Sequence, residues 1–101
     1  MDKVKLTFWP DLRETLRFGG IYTLEECFDE IRNVCEYYKE DLRYFEFMVY
    51  SADDKPMFDI SGCGLYQIKE GYEYLEPIIL EICNTYFAEN MYWESKILFS
   101  K

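Results

Sequence analysis

From Lys3 to Trp9 the chain alternates Val4, Leu6 and Phe8 with Lys3, Lys5 and Thr7, the period of two that marks a strand with one buried and one wet face. Pro10 and Asp11 break it. Glu14 to Tyr22 predicts a second strand, with Leu16 and Phe18 opposed to Thr15 and Arg17 and a glycine pair at Gly19 and Gly20 loosening it. Pro10 to Arg13 then forms the hairpin turn, without the Asn-Gly or Asp-Gly dipeptide that makes such turns distinctive.

The period changes at Thr23. Leu24, Cys27, Phe28, Ile31, Val34, Cys35 and Tyr38 recur at steps of three and four residues, which places them on one stripe of an α-helix running from Thr23 to Lys39. Thr23 followed by Glu26 is a capping box, each side chain accepting from the other residue's backbone amide. Glu25 and Glu26 also suit the positive end of the helix dipole. The opposite arc carries Glu25, Glu26, Asp29, Glu30, Glu36 and Glu40, with Arg32, Asn33, Tyr37 and Lys39 among them. Carboxylates at that density stay in water or meet a cation.

Two-residue alternation returns from Tyr44 to Ser51, where Phe45, Phe47 and Val49 oppose Tyr44, Glu46, Met48 and Tyr50, and continues from Met57 to Ser61 through Phe58 and Ile60. These segments predict a hairpin, with Asp53, Asp54 and Lys55 as its turn and Pro56 just outside the pairing. Leu65 to Glu76 fits a helix through Leu65, Ile68, Tyr72 and Leu75, weakened by Gly71. A short hairpin around Glu70 and Gly71 is the alternative, and irregular or helical structure is expected. Pro77 suits a helix start, and Ile78, Ile79, Ile82, Cys83, Tyr86 and Phe87 give the second main helix a broad apolar face. Tyr92 to Ser100 closes as a strand. The order strand, strand, helix, strand, strand, helix, strand predicts one α+β domain over 1–101, a small antiparallel or mixed β-sheet with the two main helices packed on one face.

Composition sharpens this picture. Half of the 101 residues are hydrophobic and a fifth aromatic, enough buried apolar surface to offset the entropy of ordering. Ten tyrosines and eight phenylalanines exceed what a small core holds, so some tyrosines are expected at a contact surface. The net charge of −9 disfavours direct binding to nucleic acid or to an anionic membrane. A basic protein surface is the natural counterpart, although charge of this size also serves plain solubility. No apolar run reaches the roughly 18 residues of a membrane span, and no signal-like segment follows Met1. A cytoplasmic setting is expected, with Cys27, Cys35, Cys63 and Cys83 as reduced thiols.

The familiar chemical kits are missing. The chain has no histidine, which removes the commonest general base and every imidazole-dependent triad. Its cysteines are too far apart in sequence for a zinc or redox motif. Cys63 between Gly62 and Gly64 reads as a turn rather than a nucleophile, and the same glycines match no phosphate-binding loop. Asp53, Asp54 and Asp59 surround one hairpin without the oxygen-ligand pattern of a calcium site. No cofactor, no metal and no catalytic residue is expected.

What remains is the acidic arc. Carboxylates one turn apart on a helix stand about 6 Å apart, close to the spacing of phosphates along an extended strand. The expected function is non-enzymatic binding: Glu25, Glu26, Asp29, Glu30, Glu36, Tyr37 and Glu40 would enter the basic cleft of a partner, such as a nucleic-acid-binding protein, with Tyr37, Tyr44 or Tyr50 as aromatic anchors. In size, acidity and lack of a catalytic kit the chain resembles the small inhibitors that phages and mobile elements use against restriction or CRISPR nucleases, which implies a nucleic-acid mimic that works by occlusion. The alternative is a homo-oligomeric structural or accessory module whose surplus aromatics, or last strand, meet a second copy.

Overall fold

The computed structural model of the protein describes residues 3–9, 17–38, 42, 45–62, 65–87 and 97–100. Six strands form one sheet: β1 (Lys3–Trp9), β2 (Arg17–Thr23), β3 (Glu46–Ser51), β4 (Pro56–Ser61), β5 (Tyr66–Lys69) and β6 (Ile97–Ser100). Their spatial order is β2-β1-β3-β4-β5-β6. Every neighbouring pair is antiparallel except β5 with β6, which run parallel. Two helices, α1 (Leu24–Tyr37) and α2 (Glu76–Tyr86), cover one face. This is the expected α+β architecture.

Strand register explains the burial. Leu6 pairs with Val49, Val49 with Phe58 and Phe58 with Ile68, so one row of side chains crosses four strands on the helical side. Phe47, Ile60 and Tyr66 make the next row. Cys27, Phe28, Ile31 and Cys35 of α1, with Ile79, Ile82 and Cys83 of α2, close over them. Phe28 stacks on Phe58 at 5.3 Å between ring centroids. Lys5, Thr7, Met48, Tyr50, Asp59 and Gln67 occupy the alternate positions and are only half-buried. The sheet therefore has one dry face and one partly wet face.

Two bulges interrupt its ladders, one in the β1–β2 pair and one in the β3–β4 pair. Between Leu6 and Thr7 the partner residue jumps from Gly20 to Phe18, leaving Gly19 as the extra residue. Gly20 has φ of 131°, and a Cβ there would lie 2.7 Å from the Tyr22 hydroxyl oxygen, so the bend admits no side chain. The second bulge lies between Val49 and Tyr50, whose partners are Phe58 and Pro56. Pro56 is thus the first residue of β4 rather than outside the pairing, a position that tolerates its missing donor. The extra residue, Met57, is turned inward and buried.

The stretch 65–76 departs from the expected irregular or helical course. Tyr66–Lys69 is a strand paired with β4, followed by a turn at Glu70 and Gly71 and a 3₁₀ turn at Glu73–Leu75. Tyr66 and Ile68 are the inward pair, and an open strand edge at β4 decides between periods too short to separate in sequence. The described parts of the second and last expected strands begin at Arg17 and Ile97. The remainders of those segments, the Pro10 to Arg13 turn, Lys39, Tyr44, Cys63 and Gly64 lie outside the described residues.

Candidate functional site

Helix α1 is fixed at its start by the capping box. The Thr23 hydroxyl accepts from the Glu26 amide at 3.2 Å, and a Glu26 carboxylate oxygen accepts from the Thr23 amide at 3.0 Å. The Thr23 backbone and hydroxyl contacts hold the Glu26 carboxyl below its usual range, with a smaller contribution from the nearby Lys3 ammonium. Glu26 is thus committed to the helix end.

The remaining acids divide by direction. Glu25, Asp29 and Glu36 are exposed and fall within about 40° of one another around the helix, forming a ridge about 16 Å long. Glu30 is half-buried and leans toward β2, where its charge helps raise the Tyr22 hydroxyl and the Cys27 thiol, after the larger effect of burial. It flanks the ridge. Tyr37 stands 80% exposed at the far end of α1, its ring edge-on to Tyr38 at 4.7 Å. Glu40 and Tyr44 lie outside the described residues, and Tyr50 is on the opposite face of the sheet.

Arg32 is the one cation within α1 and α2. Its guanidinium donates to Asp29 at 3.1 Å and reaches Glu81 of α2 at 3.8 Å, so it ties the two helices. Glu36 lies near Tyr86, where burial first and Glu36 second raise the tyrosine hydroxyl. Glu81 belongs to the acidic layer and was not singled out from sequence. The signal was there: α2 contains no lysine or arginine. Across both helices Glu25, Glu26, Asp29, Glu30, Glu36, Glu76 and Glu81 oppose one guanidinium, which concentrates six of the net nine negative charges in this layer.

Cys27, Cys35 and Cys83 are free, buried and pushed up to about 12 by desolvation, so they stay protonated at neutral pH. Among the described residues no three acids or thiols gather closely enough to hold a metal ion. Asp54 is bound to Lys5, while Asp59 sits on the partly wet sheet face. None of the described helices is long and apolar enough to cross a membrane. No protein-family model, no curated protein and no solved structure matches the chain.

Proposed function

We propose that the protein is a non-enzymatic, cytoplasmic binding module that presents its acidic helical layer to a basic, nucleic-acid-binding cleft of a partner protein and blocks it. The observation that carries this reading is the exposed ridge of Glu25, Asp29 and Glu36, extended by Glu81 on α2 and ended by the exposed Tyr37, with Arg32 as the one cation within α1 and α2. A row of carboxylates on a rigid helix offers a basic cleft the potential of a phosphate backbone without its flexibility. Tyr37 supplies a wide amphipathic contact that slows dissociation.

The test is capture of partners from host extract on the immobilised protein, followed by competition with double-stranded DNA. A basic nucleic-acid-binding protein should be retained, released by DNA, and bound on the order of 100-fold more weakly by an E25K/E36K/E81K variant, within the range that steering fields span. A partner indifferent to both DNA and the charge reversal would overturn the reading. Self-association is the second reading, favoured by Ile21, which is 57% exposed on edge strand β2 and lies on the sheet face away from the helices. Light scattering over a concentration series separates the two, since a strict monomer removes the second.

A further inference from the structure

A cleft of about 590 Å³ opens at the end of the sheet, between the start of β1, the first residue of α1, the β3–β4 turn and the 3₁₀ turn after β5. Its size falls within the roughly 300 to 1,000 Å³ of small-molecule sites. The bulge that buries Met57 makes its thioether side chain part of the floor, beside Val4. Tyr72 and Tyr74 form a wall, their ring centroids 6.5 Å apart and inclined at 42°. Tyr74 is 66% exposed.

Two lysines border the cleft. Lys3 and Lys55 line it and are exposed, and neither makes an ion pair among the described residues. Asp54, the acid of the turn nearest to Lys55 in sequence, is held by Lys5, which leaves Asp53 as the carboxylate among the described lining residues. Glu26, the acid that feels Lys3, is tied to Thr23 in the cap. Among the described lining residues Lys3 and Lys55 outnumber Asp53, which makes this end of the sheet receptive to an anion.

We propose that the cleft binds a small aromatic carboxylate, its ring held by Leu24, Met57, Tyr72 and Tyr74 and its anionic head between Lys3 and Lys55. Aromatic faces and a thioether suit a flat, polarisable ring. Two ammonium groups suit a carboxylate through charge-assisted hydrogen bonds. This site is independent of the acidic ridge, and an E25K/E36K/E81K protein should keep it.

An amide-resolved NMR titration decides the matter, with indole-3-acetate, its neutral amide and the cationic tryptamine as probes. Indole-3-acetate should shift the amides of Lys3, Ser51 to Lys55 and Tyr72 to Tyr74 saturably, with a Kd of about 1 mM or tighter. The amide and the amine should bind about tenfold more weakly, and a K3Q/K55Q variant should lose a similar factor for the acid. Should the double variant fail to fold, K55Q alone, at an exposed turn position, should cost about threefold. The proposal is overturned by equal affinity for all three probes, by shifts confined to other regions, by no saturation at about 10 mM, or by unchanged affinity in a folded lysine variant.

Discussion

Asp59 shows what a single position on the sheet's second face costs. It stands opposite Met48 and Gln67 on its neighbours, half-buried, and desolvation followed by the like charge of Glu46 pushes its carboxyl from 3.8 up to about 6, with Lys69 pulling partly the other way. A folded-state value above the unfolded one means the native protein holds the proton more tightly, so stability falls as pH rises through the window from about 4 to 6. Two pH units set a ceiling of about 3 kcal/mol, and the remaining solvent exposure reduces this to about 1 to 2 kcal/mol. Asp59→Asn should therefore stabilise the protein by about that amount at pH 7 and hardly at all near pH 4. Urea unfolding of both proteins at the two pH values checks it, and an equal gain at both would assign the effect to packing instead.

At the scale of elements, α1 illustrates what local sequence determines. Its apolar stripe and its capping box are both readable because they depend on residues within one or two turns, and Thr23 with Glu26 makes both reciprocal bonds. Thr23→Ala should cost about 1 kcal/mol, and adding Glu26→Ala should cost less than it does alone, because the two bonds act as a unit. A double-mutant cycle by urea unfolding measures this; strictly additive losses would mean that the cap is not cooperative. Strand β5 illustrates the opposite case. Tyr66 and Ile68 are two inward residues in a four-residue strand, and the same stretch offered Leu65, Ile68, Tyr72 and Leu75 at helical spacing. Only the edge of β4 distinguishes them. The Pro56–Met57 bulge was hidden for the same reason, since a register shift belongs to a pair of strands and not to either one. The acids of the α1 ridge were legible as a face, whereas the reach of Arg32 to Glu81 required α2 to be placed beside it.

Across the whole molecule, charge is sorted by layer. The two helices hold seven carboxylates against Arg32, while among the described strands and turns Lys3, Lys5, Arg17, Lys55 and Lys69 nearly balance Glu46, Asp53, Asp54, Asp59, Glu70 and Glu73. Compaction brings the helical acids closer together than they are in the unfolded chain, so the native state carries a self-repulsion that dissolved salt should relieve. Raising sodium chloride from about 20 mM, where the screening length exceeds the spacing of the ridge, to about 300 mM, where it falls below that length, should stabilise the protein by about 1 kcal/mol. The E25K/E36K/E81K variant, in which the layer becomes balanced, should lose most of that response. Guanidinium is itself a salt and would mask the effect, so thermal melts or urea are the measurement. An equal salt response in the two proteins would mean that the acids are too widely spaced to repel one another, and a surface that does not feel its own charge would have little with which to steer a basic partner.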